Sequence, residues 1–332
     1  MFKKQNAVKK PLNAYQLKRN TSKWIVNIFK FFFIAGMCYL FLFPVVYLIT
    51  SALQHPSTTS DPTIIFIPTK LTLDNIKLAF ERMDYLWSAG MSLIVTVCGT
   101  LATLASCATV GYGFARYKFF ERNIAFMLVI ILIIIPPQTT TLPTFITYQN
   151  FDPAGIISLL HKIMPGVVKD DHLVLIGSPL SMILPAIFAS GIRSGLCIYI
   201  FRQFFMGQPK ELEEAAKIDG CSAFGTYLRV MLPLAGPAII TVSVLSAVWY
   251  WTDTFYTNIF FFNSTAHQPL SSALSVLRES ATVKSGSNVY DISQVRGLLA
   301  SAALLTVVPI LIAYLIVQRK FTESIERTGI VG

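Results

Sequence analysis

A short charged segment separates two long apolar stretches of the chain, and its residue types suit contact with another protein. Glu214 could pair with a basic residue across such a contact, and the small side chains of Ala215 and Ala216 would let a partner approach the helix backbone closely. Asp219-Gly220 follows, where glycine accepts the left-handed conformation that ends helices. The chemistry predicted for this segment is therefore docking.

Charged residues inside the apolar stretches are candidates for a polar path through an apolar environment. Asp253 is one of them. Arg193 is the other, about twelve residues before Phe205, which places it near the middle of a bilayer if the helix is continuous. Three interpretations of Arg193 stay open: it lines such a path, it pairs with a carboxylate such as Asp253, or it lies in a loop flanked by Gly191 and Gly195.

Aromatic and polar side chains elsewhere in these stretches could line the same path. Tyr250, Trp251 and Tyr256 have flat faces and polar edges suited to stacking on sugar rings. The alternative for Trp251 and Tyr256 is an aromatic belt at a membrane surface. Gln138 and Thr139 follow a Pro-Pro pair and could line a cavity, whereas hydrogen bonding between helices is the alternative for the threonine.

The composition indicates the environment that surrounds these residues. Of the 332 residues, 54% are hydrophobic and 13% are charged, with a mean hydropathy of +0.59, which is too apolar for an ordinary soluble domain. The net charge of +10 does not indicate nucleic-acid binding, because the basic residues flank apolar segments instead of forming a basic face with interleaved aromatics. The sequence predicts an all-α integral membrane protein in contact with lipid.

Six charge-poor windows are close to the length of roughly 20 residues that a helix needs to cross a bilayer. They are Phe31 to Leu53, a segment within Tyr85 to Phe114, a segment within Ile124 to Tyr148, a segment ending at Phe205, Pro237 to Phe261, and Gly297 to Val317. The first is too long for a signal-peptide core, so we interpret it as an uncleaved helix. The predicted organisation is a basic tail (1–30), a six-helix domain (31–317) with a loop at 206–236, and a C-terminal tail (318–332).

Lysine and arginine are unevenly distributed between the two sides of these windows. The side that carries both chain ends and Glu214 holds most of them. By the positive-inside rule, this side is predicted to be cytoplasmic. Here Pro209 to Ile218 and Ser222 to Val230 are predicted to form two short helices, which we call the elbow (209–230), before Pro233 and Pro237 break the second one.

Metal and enzyme chemistry find little support in the sequence. The five cysteines show no paired spacing. The histidines are scattered and never occur at i, i+4 spacing with a carboxylate partner. We therefore predict no metal site. Charged groups are sparse in the apolar stretches, whereas a membrane-embedded enzyme would need a catalytic cluster there. We therefore predict no catalytic residues.

The Glu214 segment and the prolines that follow it resemble the E-A-A…D-G…P signature of the membrane subunits of ABC importers. Further segments resemble the maltose-type, or carbohydrate, branch of these binding-protein-dependent permeases, and the similarity covers roughly Leu71 to Gly332. These segments are Gly113 to Phe119, Ile200 to Phe205, Trp251 to Thr254 and Gly329 to Gly332. The third departs from the family's W-N-x-F element by having threonine in place of both Asn and Phe.

The resemblance implies a transport subunit rather than an enzyme. Such permeases pair with a second permease, usually as a heterodimer, dock two cytoplasmic ATPase subunits through a coupling helix between spans four and five, and receive solute from an extracytoplasmic binding protein. By this resemblance, the ATPase-docking residues are Glu214, Ala215, Ala216, Asp219 and Gly220. ATP and Mg²⁺ would be bound by the partner ATPase, since this chain has no G-x-x-x-x-G-K-[ST] loop and needs no cofactor of its own.

The family branch favours an oligosaccharide as the cargo, and Arg193 points to an acidic one, such as a sugar that contains uronate. A permease for another small polar solute is an alternative. So is a self-contained channel or secondary transporter, although the inverted repeats and midplane ion sites typical of that class are not visible. The implied location is a prokaryotic cell membrane, with both chain termini in the cytoplasm.

Overall fold

Helices make up most of the chain in the computed structural model, which describes residues 14–55, 70–163, 172–261, 268–286 and 292–329. The helices are α1 (Ala14–Leu53), α2 (Asp74–Arg82), α3 (Tyr85–Arg116), α4 (Arg122–Ile134), α5 (Gln138–Gln149), α6 (Ile156–Ile163), α7 (Leu180–Ile187), α8 (Ser194–Met206), α9 (Glu211–Ile218), α10 (Ala223–Leu234), α11 (Gly236–Thr252), α12 (Phe255–Phe260), α13 (Leu270–Gly286) and α14 (Ile292–Gly329). The described residues contain no strand, only two isolated bridges. The predicted all-α class is confirmed.

Three helical segments are long and apolar enough to cross a membrane alone: Trp24–Leu53 of α1, the whole of α3, and Val295–Arg319 of α14. Two further candidates are bent pairs, in which α4 meets α5 at 97° and α10 meets α11 at 76°. Pro136 and Pro137 stand at the first bend, where their missing N–H groups cannot continue the helical hydrogen bonds. By length and composition, the described chain therefore holds up to five spans of this kind.

The window predicted to end at Phe205 is not one continuous helix. Helix α7 contains Pro185 and ends at Ile187, and α8 begins only at Ser194. Between them, Ala189 and Arg193 have left-handed φ angles of 54° and 52°. The placement of Arg193 inside a continuous helix is therefore wrong, because left-handed backbone ends one helix and starts the next.

Two helix boundaries also differ from the sequence-based prediction. Helix α1 extends back to Ala14, into the region assigned to the basic tail. Pro233 does not end the second elbow helix, since α10 continues to Leu234 and the chain turns at Ala235. A π-helical segment, Tyr227–Met231, precedes Pro233 and changes the hydrogen-bond spacing just before the residue that lacks an N–H.

Helix α3 is the centre of the fold and packs against α7, α8 and α11. Its buried face carries small residues such as Gly99, Cys107 and Gly111. A Cβ added at Gly111 would lie 2.7 Å from the Cβ of Phe201, and one added at Gly99 would lie 2.9 Å from the ring of Tyr250. Small residues allow helices to approach this closely, and they fix α8 and α11 against α3.

Candidate functional site

The elbow turns at Gly220, as its sequence predicts. Gly220 has a φ of 80° and donates its N–H to the carbonyl of Lys217 over 3.0 Å, while the N–H of Cys221 reaches the carbonyl of Ala216 over 2.9 Å. These bonds satisfy carbonyls that the end of α9 would otherwise leave free. Helix α10 then begins after Ser222, whose Oγ accepts the N–H of Gly225 over 3.1 Å. The turn is therefore defined by hydrogen bonds on both sides.

The surface of the elbow is made by only some of the residues predicted to dock a partner. Glu214, Ala215, Asp219 and Gly220 are exposed. Ala216 is 5% exposed and faces the interior of the chain. The expectation that both alanines offer a contact surface is therefore corrected: Ala215 is accessible, whereas Ala216 lets α9 lie close to its own chain.

An ion pair anchors the elbow to the end of α3. Nε of Arg116 lies 3.2 Å from Oε1 of Glu213, and the two side chains are only 7% and 15% exposed. Tyr112 donates its hydroxyl to the same Glu213 oxygen over 3.1 Å, and Nη2 of Arg116 donates to the carbonyl of Gln208 over 2.7 Å. Because Arg116 contacts both α9 and the residue just before the elbow, movement of the elbow is coupled to movement of α3.

Sequence reasoning missed this anchor. Arg116 lies within the segment Gly113 to Phe119, whose resemblance to the family says nothing about a partner, and Glu213 stands beside Glu214 in the sequence. The available signal was an arginine at the end of one apolar stretch and a run of acidic residues in the loop, but many pairings satisfy that pattern. Only the packing of α3 beside α9 selects Glu213 as the partner.

Aromatic rings extend the anchor into the core. The ring of Tyr112 lies 5.3 Å from that of Phe205 on α8 and 4.9 Å from that of Tyr227 on α10. Phe205 is fully buried, and so is Met231 at the far end of the π-helical segment. Helices α3 and α8 therefore meet the second helix of the elbow through one packed cluster, which suits the elbow to move as a unit with the bundle.

The second feature of the site is the break between α7 and α8. Arg193 is exposed there, and its guanidinium carbon lies 5.0 Å from the ring centre of Trp249, a distance typical of a cation–π contact. The ion pair with Asp253 that the sequence left open is absent. The Asp253 carboxylate instead accepts the N–H of Thr257 in the first turn of α12 over 2.8 Å. Of the three interpretations of Arg193, the structure supports a position in a loop between two helices. A role of its side chain in a substrate path stays a prediction.

Tyr250 and Trp251 are packed inside the chain. Tyr250 is 2% exposed, and its hydroxyl lies 3.4 Å from that of Thr103. Trp251 is 7% exposed and donates its indole N–H to the carbonyl of Thr306 over 2.9 Å. Neither ring has a free face for a sugar in this conformation, so their assignment as stacking surfaces is corrected.

The remaining candidates lie apart from this packed pair. Tyr256 is half-buried, with its ring stacked 5.9 Å from that of Phe260. Gln138 and Thr139 are exposed at the bend between α4 and α5, where Thr139 donates its hydroxyl to the carbonyl of Pro136 over 2.8 Å. This bond keeps the threonine within its own turn, and the structure does not bring Gln138 or Thr139 together with Arg193 by any hydrogen bond among the described residues.

The part of the chain that the structure describes contains no cluster of side chains that could bind a metal ion. Three or more His, Cys, Asp or Glu side chains do not converge anywhere in residues 14–55, 70–163, 172–261, 268–286 and 292–329. The candidate functional site has two parts: the elbow with its ion pair to α3, and the break between α7 and α8 with exposed Arg193.

Comparison with known proteins identifies the family. Residues 107–325 match the family described as "Binding-protein-dependent transport system inner membrane component". The chain is 31% identical over 323 residues to the arabinooligosaccharides transport system permease protein AraQ of Halalkalibacterium halodurans, covering 95% of this chain and 100% of that protein. It is 27% identical over 289 residues to the polygalacturonan/rhamnogalacturonan transport system permease protein YtcP of Bacillus subtilis, covering 85% and 89%.

The fold agrees with a solved structure of the same class. A bacterial ABC transporter involved in the import of the acidic polysaccharide alginate has a chain that superposes with a TM-score of 0.68 at 17% identity, covering 90% of this chain and 98% of that one. The family predicted from the Glu214 segment is confirmed, and a channel or secondary transporter is rejected. The chain belongs to the inner membrane components of binding-protein-dependent transport systems, as a permease subunit of an ABC importer and not an enzyme.

Proposed function

We propose that this permease forms half of the membrane path for a carbohydrate and that its elbow is the coupling helix that receives the stroke of an ATPase. The observation that carries the second part is the Arg116–Glu213 pair at 3.2 Å, which ties the loop to α3. Force applied at exposed Glu214 and Ala215 would reach α3 directly, because a buried ion pair costs several kcal/mol to break.

The proposed topology has six spans. The three single helical segments and the two bent pairs supply five, and α7 with α8 supplies the sixth as a broken helix. Broken helices are tolerated in membranes where the free backbone groups lie inside protein or line a wet cavity. An even number of spans puts both termini on one side, and the excess of Lys and Arg there makes it the cytoplasmic side.

The proposed assembly pairs this chain with a second, different permease and two ATPase subunits, which would bind ATP and Mg²⁺. A solute-binding protein would deliver cargo at the opposite face. The family's name supports dependence on a binding protein. The exposed faces of Glu214 and Ala215 support docking of another subunit at the elbow, because they lack cover from this chain.

The proposed cargo is an oligosaccharide, and we propose an acidic one. Relatives that align over most of this chain's length are permeases of transport systems for arabinooligosaccharides and for polygalacturonan/rhamnogalacturonan. Arg193 supports the acidic choice, because it is exposed at a helix break and has no carboxylate within 4.0 Å among the described residues. An arginine at membrane depth with this environment suits a carboxylate brought by the solute.

The coupling role is tested by changing the elbow in the complete transporter. Glu214→Lys reverses the exposed charge, and Gly220→Pro forbids the φ of 80° that the turn requires. Each change should reduce co-purification of the ATPase roughly tenfold or more, as expected for an interface hot spot. Glu121→Lys, in the loop between α3 and α4, is the matched control and should leave co-purification unchanged. Normal uptake and ATPase binding in both elbow variants would reject the proposal.

The cargo is tested through Arg193→Ala. Uptake of an acidic oligosaccharide should fall about tenfold, the value of one charge-assisted hydrogen bond, whereas uptake of a neutral one should not change. Arg278→Ala, which removes an exposed arginine from α13, is the control. Equal uptake of the acidic sugar by Arg193→Ala and the parent chain would eliminate the acidic refinement while leaving the coupling role intact.

A further inference from the structure

Arg202 on α8 lies against α4 without a carboxylate partner. Its guanidinium carbon is 3.8 Å from the ring centre of Phe126, and the ring of Tyr199, one turn earlier on α8, stacks on Phe126 at 6.5 Å. The buried Nε of Arg202 has no hydrogen-bond partner among the described residues. Its acceptor is therefore missing from this chain's described part.

A second arginine stands beside it. Arg122 is one turn before Phe126 on α4, which places it on the same helix face as the ring that the Arg202 guanidinium covers. Arg122 donates one bond, over 3.4 Å, to the carbonyl of Tyr117. Within the described residues, neither arginine has a carboxylate oxygen within 4.0 Å, in contrast to Arg116. Two arginines that flank one aromatic ring and have no carboxylate partner are suited to bind an anion.

The surroundings of the two arginines are those of a membrane surface. Phe119 and Phe120, just before Arg122, are exposed aromatics, which concentrate at the level of lipid headgroups. Ile133, eleven residues after Arg122 and on the same face of α4, is exposed too, so an apolar surface lies about 16 Å along the helix from the charges, at 1.5 Å per helical residue. Cationic groups directly above an apolar surface match the layout of a phospholipid, with its phosphate above its acyl chains.

We propose that Arg122 and Arg202 bind the phosphate of an anionic phospholipid headgroup in the cytoplasmic leaflet, with its acyl chains along the face of α4 that carries Ile133. The inference rests on the membrane orientation proposed above. Arginine suits this role because its planar guanidinium can donate two parallel hydrogen bonds to one phosphate. The aromatic face of Phe126 holds the Arg202 guanidinium in position before the lipid arrives.

The test uses the complete transporter in nanodiscs of phosphatidylcholine with and without phosphatidylglycerol, and native mass spectrometry of the released complex. The parent should retain bound phosphatidylglycerol. Arg202→Gln and Arg122→Gln should each lower its affinity roughly tenfold, the loss expected for one charge-assisted hydrogen bond. Arg202→Lys keeps the charge and should lose less. Arg229→Gln, which removes an exposed arginine on α10, is the control and should bind like the parent.

Three results would overturn the proposal. Phosphatidylglycerol could be retained equally by the parent and by both Gln variants. Glycerol phosphate could displace it completely at equal concentration, which would identify a site for free anions instead of lipid. Arg202→Gln could weaken association with the partner permease in lipid-free detergent, which would identify a carboxylate of that subunit as the acceptor. Sugar uptake by the parent in the same nanodiscs separates these results from failure of the transport function.

Discussion

Arg116 and Arg193 stand at helix ends in two regions of the molecule, and the fold treats their charges in opposite ways. Arg116 ends α3, where its side chain is 7% exposed and lies 3.2 Å from Glu213. Arg193 precedes α8, where it is exposed and meets only the ring of Trp249 at 5.0 Å among the charged or aromatic contacts of the described residues. The charge of Arg116 is neutralised by Glu213 inside the chain, whereas the charge of Arg193 is accessible to a ligand or a neighbouring subunit at the break.

This difference agrees with the proposal that one part transmits force and the other receives a ligand. The elbow is held by a largely buried ion pair and a packed aromatic cluster, so it resists deformation. The break has left-handed backbone at Ala189 and Arg193, a conformation that costs free energy and persists only where the surroundings enforce it. Regions of this second kind are frequent at ligand sites, which supports the proposed coupling role of the first region and the proposed recognition role of the second.

The largest expected effect comes from breaking the anchor. Arg116→Ala leaves the Glu213 carboxylate largely buried without its cation, and removal of one partner of such a pair costs about 3–5 kcal/mol. We expect a clear fall in the melting temperature of the purified transporter and loss of ATP-dependent uptake. Scanning fluorimetry and transport into vesicles measure the two effects.

The exchange variant Arg116→Glu with Glu213→Arg sharpens this prediction, because it restores opposite charges in the same place. It should recover part of the stability that either single change loses. Glu211→Ala removes an exposed acidic residue from the same helix and serves as the control. If Arg116→Ala and Glu211→Ala melt at the same temperature, the anchor does not hold the elbow.

A smaller effect is expected at the break. A Cβ at Gly191 would lie 2.5 Å from the hydroxyl oxygen of Tyr250 and 3.0 Å from Ala186. Gly191→Ala should therefore destabilise the protein by about 1–3 kcal/mol, the usual cost of overpacking. Adding Tyr250→Phe removes the nearer atom and should recover part of this loss. Melting curves of the two variants provide the measurement.

The control for this prediction is Gly90→Ala in α3, since a Cβ there would have no neighbour within 4 Å. It should be neutral or slightly stabilising, because alanine favours helix more than glycine does. An equal loss of stability in Gly90→Ala and Gly191→Ala would show that close packing of Tyr250 does not define the break.

The smallest effect on stability is expected at Arg193 itself. Arg193→Ala removes an exposed side chain and one cation–π contact of about 0.5–1 kcal/mol at an exposed site. The melting temperature should therefore stay within about 2 °C of the parent's, given how weakly such energies shift the transition of a chain this long. A fall as large as that of Arg116→Ala would remove the distinction between the two regions.

Much of the elbow could be predicted because its determinants are local. The turn at Gly220 and the helix before it follow from neighbouring residues, and the structure has both. The burial of Ala216 could not be predicted in this way, since it depends on which face of α9 meets the bundle. The docking role of Glu214 stays a prediction, because it concerns a surface that only another subunit can cover.

The break was harder to predict because its determinants are distributed. Gly191 and Gly195 indicated it only as one alternative, and the apolar composition of the window favoured a continuous helix. Tyr250 occupies the space that Gly191 leaves open, so its ring is enclosed instead of available to a sugar. The enclosure of Tyr250 depends on how three helices pack together. The residue pattern along any one of these helices does not predict it.

By itself, the sequence determined the membrane environment, the helical class, the turn of the elbow and the family. Each of these follows from hydrophobicity or from residues that are close in the chain, which act wherever the segment lies. The tertiary structure decided that Arg116 pairs with Glu213, that Tyr250 and Trp251 are enclosed, and that Arg193 and Arg202 lie without carboxylates among the described residues. These outcomes depend on which helices become neighbours, because a charge or a ring acquires its role only from the groups that packing places beside it.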